Sequence, residues 1–176
     1  MTTITTTHSE EETATVGREF ASPLCAGDVL LLYGDLGAGK TAFVRGLAEG
    51  LGIDRDEVSS PTFTLIQEYR GGRLPLFHVD LYRIEDPREL DELGLEEIAE
   101  DGVLAIEWAD KLPDDARLKP SALDAARVDA EALEGSRSGR AFVVRLEHAG
   151  EEARNLSIQS PDYPITRLPD SPYSDR

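Results

Sequence analysis

The clearest pattern along the chain is a continuous apolar run followed by apolar residues at helical spacing. The run, Val29–Tyr33, lies between Gly27-Asp28 and Gly34. An uninterrupted apolar segment of this length is typical of a strand that is buried on both faces. Residues 41–52 carry the helical stripe, which consists of Phe43, Val44, Leu47, Ala48 and Leu51. The pattern therefore predicts a strand, a loop and a helix in that order.

The segment before this strand predicts a short helix behind a loose end. Residues 1–8 are rich in threonine, and we expect them to be poorly ordered. Residues 9–24 predict the helix, because Ser9 and Glu12 have the spacing of a capping box, which satisfies backbone N–H groups at a helix start.

Two segments after the helix predicted at residues 41–52 predict a β-hairpin. Residues 63–69 and 74–82 both read as strands, and Gly71-Gly72 between them is typical of a tight turn. An antiparallel hairpin beside a fully buried strand implies a mixed sheet. Residues 86–101 then predict a helix that is broken near Gly94, and residues 102–108 predict a further apolar strand.

The last third of the chain is less regular. Residues 122–132 alternate weakly and predict an edge strand, whereas residues 141–147 alternate well. Prolines and polar residues dominate residues 159–176, where we expect little order. The 176 residues suit one α/β domain over residues 9–158, between a loose N-terminus at residues 1–8 and a disordered tail at residues 159–176.

The loop between the predicted strand and helix has the sequence GDLGAGKT, which matches the phosphate-binding P-loop pattern. Glycines let the backbone curl so that successive N–H groups face one anion, and the following helix presents its N-terminus to the same phosphates. We expect nucleotide contacts from Asp35, Leu36, Gly37, Ala38, Gly39, Lys40 and Thr41. The pattern occurs by chance in roughly 1% of chains of this length, and its place between a strand and a helix disfavours an ordinary glycine-rich turn.

Several polar residues beyond the loop are candidates for the chemistry. Asp80 and Glu107 each end an apolar strand, and either can ligate Mg²⁺ or position an attacking water; the sequence does not decide between them. Thr62 lies in a polar loop where a second hydroxyl can close on the metal. For His78 a core role is favoured over a catalytic one, and for Trp108 packing is favoured over partner binding.

Composition limits the class of protein. The formal net charge is −17, from 35 acidic and 18 basic residues, and such a surface repels nucleic-acid backbones. The single cysteine excludes an internal disulfide, no apolar run approaches the length of a membrane span, and the N-terminus lacks the features of a secretory signal. We therefore expect a cytoplasmic protein without membrane contact.

Four blocks of sequence together resemble the TsaE family of bacterial P-loop ATPases. They are GDLGAGKTAFVRGLAEGLG from residue 34, SPTFTLIQEY from residue 60, LFHVDLYRI from residue 76 and AIEWADKLP from residue 105. The resemblance implies a three-layer P-loop NTPase fold with a mixed, mostly parallel central sheet. It also implies binding of ATP and Mg²⁺, and slow hydrolysis that partners stimulate. The implied partners are TsaB and TsaD, which transfer threonylcarbamoyl to adenosine in the tRNA anticodon loop, so that tRNA is met only through them.

The resemblance also implies roles for individual residues. Thr41 and Glu107 would bind Mg²⁺, and a threonine in the first helix, Thr13, would touch the nucleotide base. The implied catalytic residues are Lys40, Asp80, Glu107 and Thr62. Residues 114–135 are longer and more acidic than expected for the family, which leaves a nucleotide contact by Arg140 open.

Two other functions are alternatives for a chain with this loop. A small-molecule kinase would use the same loop, but kinases clamp two anionic substrates, and the chain shows no arginine-rich lid. A nucleotide-sensing assembly factor would need ATP binding without obligatory hydrolysis.

Overall fold

The described residues form one seven-stranded sheet. The structure is a computed structural model, and it describes residues 2–86, 88–112, 139–150 and 152–160. The strands are β1 (Thr2–Thr7), β2 (Val29–Tyr33), β3 (Ile66–Tyr69), β4 (Leu76–Asp80), β5 (Val103–Glu107), β6 (Ala141–His148) and β7 (Arg154–Gln159). Their order across the sheet is β1-β7-β6-β2-β5-β4-β3.

The sheet is parallel at its centre and antiparallel at both sides. Strands β6, β2, β5 and β4 run parallel. The pairs β1–β7, β6–β7 and β3–β4 are antiparallel. These findings confirm the expected α/β fold with a mixed, mostly parallel central sheet, and they confirm the predicted hairpin as β3–β4.

Helices cover both faces of the sheet. They are α1 (Glu10–Phe20), α2 (Lys40–Gly50), α3 (Arg88–Asp91) and α4 (Leu95–Asp101), with 3₁₀ turns at Arg55–Glu57 and Ala109–Lys111. On β2, Leu30 and Leu32 pack in the cluster that contains α1 and α2, whereas Leu31 packs with residues of α3 and α4. This alternation, which follows from the period of two in a strand, produces three layers.

Helices α1 and α2 approach each other very closely. A Cβ atom added at Gly17 would overlap the carbonyl oxygen of Phe43, and one added at Gly46 would overlap that of Ala14. The two glycines therefore permit a contact that any side chain would prevent. The first half of α1 also lies close to the loop that precedes α2, since a Cβ atom added at Gly39 would lie 3.5 Å from Cγ2 of Thr13.

The helix ends follow the sequence signals. Ser9 accepts a hydrogen bond from the Glu12 amide at 3.1 Å, and the Glu12 carboxylate accepts one from the His8 amide at 2.7 Å. Gly94, with a φ of 60°, separates α3 from α4, as the predicted break requires.

The prediction of a loose N-terminus is wrong. Residues 2–7 form β1, which pairs with β7 through its full length. Threonine is β-branched and therefore suits an extended strand, and the partner strand lies about as far away in sequence as the chain allows. The domain therefore extends beyond the predicted limits of 9 and 158, since β1 and Gln159 belong to the sheet.

The remaining differences are local. Strand β3 begins at Ile66 rather than at residue 63, because Leu65 adopts a left-handed conformation with a φ of 64°. Strand β7 was not predicted. The edge strand predicted at residues 122–132 and the tail from residue 161 onward lie outside the described residues.

Candidate nucleotide-binding site

A cavity of about 410 Å³ opens at the carboxyl ends of the central strands. This is the edge where ligands bind in open α/β sheets. Its wall comes from the loop after β2, the start of α1, the segment before β3, and the ends of β4 and β5. The lining residues are Glu10, Leu36, Gly37, Gly39, Lys40, Thr41, Ala42, Arg45, Ser60, Thr62, Asp80, Tyr82, Glu107 and Trp108.

The loop after β2 has the backbone of an anion-binding turn. Gly37 and Gly39 have φ values of 76° and 101°, a region that side chains disfavour. Gly39 is the N-cap of α2 and Ala38 is fully buried beneath it. The first turn of α2, with its unpaired N–H groups, therefore faces the cavity.

The Lys40 ammonium group lies inside the loop. It donates hydrogen bonds to the carbonyl oxygens of Gly34 at 2.6 Å and Asp35 at 2.8 Å, and it lies 4.0 Å from the ring centre of Trp108. Burial lowers the pKa of Lys40, and the negative charges of Glu107 and Asp80 oppose that shift. No carboxylate within the described ranges forms an ion pair with it, so its charge is available to an anion.

Glu107 is held by two donors on one oxygen. The Thr41 hydroxyl donates to Oε1 at 2.8 Å, and His78 Nε2 lies 2.8 Å from the same atom. His78 is fully buried, and its Nδ1 has no hydrogen-bond partner in the described part of the chain. A buried acceptor without a partner costs less than a buried donor without one, so the tautomer with hydrogen on Nε2 and none on Nδ1 fits this geometry.

Asp80 is also fully engaged. Its Oδ2 accepts hydrogen bonds from Ser60 at 2.7 Å and Thr62 at 2.6 Å, and its Oδ1 accepts one from the Tyr82 amide at 2.9 Å. The register places Asp80 directly beside Glu107 on the neighbouring strand. The two acids therefore converge, and the segment that carries Thr62 is tied to one of them.

Most of the predicted site residues meet in this cavity. Leu36, Gly37, Gly39, Lys40, Thr41, Thr62, Asp80 and Glu107 all line it. Ala38 lies beneath the loop, and Asp35 contributes the carbonyl that holds Lys40. The roles assigned to all of these residues remain predictions.

Thr13 and Arg140 are not among the residues that line the cavity. Thr13 is fully buried, and its hydroxyl is engaged with Thr7 at 2.8 Å and with the Ser9 carbonyl at 3.0 Å. Its methyl group lies beside the loop, 3.5 Å from a Cβ atom added at Gly39, and its contact with a nucleotide base remains a prediction. Arg140 forms an ion pair with Asp28, which raises the pKa of Arg140. The two residues directly precede β2 and β6, so the pair lies at the amino ends of the central strands, opposite to the cavity.

Sequence reasoning missed several lining residues. Ser60 and Tyr82 lie two positions from Thr62 and Asp80, and in extended segments that spacing places side chains on the same side. Glu10 and Arg45 gave no comparable signal. His78 is a core residue, as favoured, but its bond to Glu107 also makes it part of the site. Trp108 is half-buried, and its ring contacts that of Tyr82 in a tilted arrangement, with 5.0 Å between ring centres and 47° between ring planes.

Comparison with known proteins matches the sequence to one family. The model of "Threonylcarbamoyl adenosine biosynthesis protein TsaE" matches residues 7–142. The chain belongs to the TsaE family. Curated proteins named "tRNA threonylcarbamoyladenosine biosynthesis protein TsaE" are similar to it. The Bacillus subtilis protein is 54% identical over 104 residues, and the Nostoc protein is 50% identical over 109 residues.

The matched segments span 58% and 59% of this chain, and just under two thirds of those relatives, at 64% and 66%. Among solved structures, the crystal structure of Bacillus subtilis YdiB has the same fold, with a TM-score of 0.61 and 31% identity. That similarity covers 91% of this chain and 86% of YdiB. In the part of the chain described here, no helix has the length and apolar character needed to cross a membrane.

Proposed function

We propose that this chain binds ATP with Mg²⁺ and hydrolyses it during biosynthesis of tRNA N6-threonylcarbamoyladenosine, in association with TsaB and TsaD. The observation that carries the proposal is the convergence of Lys40, Thr41, Glu107 and Asp80 in one cavity at the end of the P-loop strand. The names of its curated relatives support the pathway.

The donor set fits a magnesium ion. Hydroxyl and carboxylate oxygens are the ligands that Mg²⁺ prefers, and the ion completes its shell with water and phosphate oxygens. Thr41 and Glu107 would hold it, since their oxygens already lie 2.8 Å apart. Within the described ranges no group of three or more acidic, histidine or cysteine side chains forms a metal cage. When bound, the ion would neutralise developing charge on the phosphates.

The protein groups divide the remaining work. The loop amides and Lys40 would bind the phosphates and stabilise charge on the terminal one. Asp80, which now accepts hydrogen bonds from three donors, would accept one from the attacking water once Ser60 or Thr62 turns away. His78 would keep Glu107 in position.

The charge of the chain supports an indirect relation to tRNA. With a net charge of −17, it would be repelled by the phosphate backbone. We therefore propose that tRNA contacts belong to the partner subunits, and that the protein acts in the cytoplasm with them.

The test is an ATPase and tRNA-modification assay with and without TsaB and TsaD. We expect slow hydrolysis by the chain alone, faster hydrolysis with both partners, and loss of both activities in Lys40→Ala. Intact ATP binding and modification in that variant would refute the proposal. Repeated rounds of modification with a non-hydrolysable ATP analogue would favour an assembly factor, and a phosphorylated metabolite formed in proportion to ADP would favour a kinase.

A further inference from the structure

A short irregular segment places two hydroxyl groups on Asp80. It consists of residues 58–65, between the 3₁₀ turn Arg55–Glu57 and β3, and is called the hydroxyl segment below. Ser60 and Thr62 donate to the same oxygen of Asp80 at 2.7 and 2.6 Å, and their own hydroxyl oxygens lie 2.9 Å apart. The position of the hydroxyl segment therefore determines how the Asp80 carboxylate is oriented.

The two ends of the hydroxyl segment are held in different ways. At its tip, packing contributes little, since Phe63 is 86% exposed. At its end, the Leu65 amide donates to the Pro61 carbonyl at 2.7 Å, and the Leu65 carbonyl accepts from the Asp80 amide at 2.9 Å. Its beginning lies outside the strands, so a side chain has to supply the anchor there.

Tyr69 is that anchor. It is buried at the end of β3, and its hydroxyl accepts a hydrogen bond from the Ser59 amide at 3.2 Å and donates one to the Ser59 carbonyl at 3.1 Å. The two bonds fix the planar peptide groups on both sides of Ser59, and the second of these leads directly into Ser60. Nε of Arg45 supports the same place by donating to the Val58 carbonyl at 3.0 Å. One phenolic hydroxyl thus closes the base of the loop that carries both donors to Asp80.

The hydroxyl of Tyr69 contributes little to the core itself. The ring packs in the cluster that contains α1 and α2, where a phenylalanine ring would fill the same space. Ser59 is exposed, so water can replace both hydrogen bonds to its backbone at little cost in stability. Water does not hold the backbone in one position, however. The hydroxyl therefore contributes position rather than stability.

We propose that Tyr69 is a positioning residue for ATP hydrolysis: by holding Ser59 in place, it keeps Ser60 and Thr62 within reach of Asp80. This inference rests on the proposed function, in which one of these hydroxyls yields its place on Asp80 to the attacking water. The other hydroxyl must then keep the carboxylate aimed at that water. This exchange requires that the base of the hydroxyl segment stays fixed.

The first test is the hydrolysis rate of Tyr69→Phe in the full chain, alone and with TsaB and TsaD. At saturating ATP the rate should fall about fivefold, as loss of a neutral hydrogen bond implies, whereas the ATP concentration for half-maximal rate should stay within about twofold. We expect this split because Tyr69 is not among the residues that line the cavity. An unchanged rate at saturating ATP, or a loss confined to the ATP concentration required, would overturn the inference.

A double-mutant cycle separates positioning from general damage. In Ser60→Ala/Thr62→Val both hydroxyls are absent, so Tyr69→Phe has no donor left to position and should change the rate less than about 1.5-fold. A further loss of about fivefold in that background would overturn the inference, because Tyr69 would then act through another part of the protein.

The matched control is Tyr33→Phe, which removes a phenolic hydroxyl from a buried tyrosine on the opposite face of the sheet. It should hydrolyse ATP as the wild type does. Hydrogen exchange measured without nucleotide gives a second readout. Amides of residues 59–65 should exchange about fivefold faster in Tyr69→Phe, and at the wild-type rate in Tyr33→Phe. Wild-type exchange in Tyr69→Phe would contradict the anchoring of the segment.

The wild type and Lys40→Ala separate this inference from the proposed function. Failure of the wild type to hydrolyse ATP would refute the proposed function and this inference with it. Hydrolysis that depends on Lys40 but not on Tyr69 would refute only the role of Tyr69. Thermal unfolding of each variant checks that the chain remains folded.

Discussion

The two sides of the cavity differ in how their charged groups are paired. On the strand side, Glu107 and Asp80 each accept hydrogen bonds from two or more donors within the protein. On the loop side, among the residues that the structure describes, Lys40 contacts backbone carbonyls and an aromatic ring but no carboxylate, and Nε of Arg154 has no hydrogen-bond partner. The acids are fixed in advance, whereas the cations are available to an anion from outside.

This difference is informative because acids are abundant in the chain. With 35 acidic residues against 18 basic ones, a carboxylate partner is easy to supply, and Arg55, Arg88 and Arg140 each have one. A carboxylate beside Lys40 would compete with phosphate for the same charge. The pairing therefore separates cations that stabilise the fold from those placed to bind a ligand.

The largest effect should come from removing the cation inside the loop. Lys40→Ala should lower ATP affinity on the order of 100-fold, because it deletes a charge-assisted contact to phosphate. The matched control is Lys111→Ala, which changes an exposed lysine outside the cavity. Calorimetry measures the ATP affinity of both variants, and equal affinities would show that Lys40 does not bind the nucleotide.

On the acid side, Glu107→Gln keeps the shape and the hydrogen-bond acceptor but removes the charge. We expect hydrolysis to fall on the order of 100-fold and its magnesium dependence to weaken, since the metal loses an anionic ligand. Binding of ATP without magnesium should persist. Glu147→Gln, at an exposed position near the end of β6, is the control. Normal magnesium dependence in Glu107→Gln would show that Asp80 holds the metal instead.

Removing the hydrogen bond that positions Glu107, without changing Glu107 itself, should have a smaller effect on hydrolysis. His78→Asn shortens the side chain that holds Glu107, so the magnesium concentration for half-maximal hydrolysis should rise about tenfold. His78→Gln, which is longer, should recover part of the loss. Titration of ATP binding in EDTA separates positioning from damage to the fold: a loss of similar size there would rule out a role through the metal.

The contact between Thr62 and Asp80 should contribute less again. Thr62→Val removes a 2.6 Å hydrogen bond without changing the size of the side chain, and Thr62→Ser retains the hydroxyl. We expect the hydrolysis rate to fall about threefold in Thr62→Val, because one neutral donor is lost, and to stay unchanged in Thr62→Ser. Equal rates in all three proteins would exclude Thr62 from the reaction.

The smallest effect concerns pH. Burial lowers the pKa of Lys40, so the folded protein loses this proton at a lower pH than an exposed lysine does. ATP affinity should therefore begin to fall below the ordinary lysine range, while the free energy of unfolding gains a small contribution as pH rises between the folded and unfolded pKa values. Lys40→Arg should bind ATP without this decline, and an identical pH profile in both proteins would contradict the assignment.

The sequence predicted the parts of the site that depend on local order. The run Val29–Tyr33, the glycine pattern and the helix after it together specify the loop, because each is short and consecutive in the chain. Asp80 and Glu107 were candidates because each ends an apolar strand, but only the parallel register shows that they are neighbours.

The features that escaped prediction depend on distant pairing. Strand β1 was read as loose and β7 was not recognised, because each acquires its place only from the other and from β6. The packing of Arg154 against Gly39 of the loop escaped prediction for the same reason, since nothing near Arg154 in sequence points to the P-loop. The bond between His78 and Glu107 likewise joins two strands that are separated by the whole α3–α4 segment.

The most direct test of nucleotide binding in this cavity is a crystal structure of the full chain with a non-hydrolysable ATP analogue and Mg²⁺. We expect the terminal phosphate to contact Lys40 and the magnesium ion to lie about 2.1 Å from the Thr41 hydroxyl oxygen, with Glu107 on the same side. A nucleotide bound elsewhere, or a metal ion that neither Glu107 nor Asp80 faces, would contradict this mode of binding.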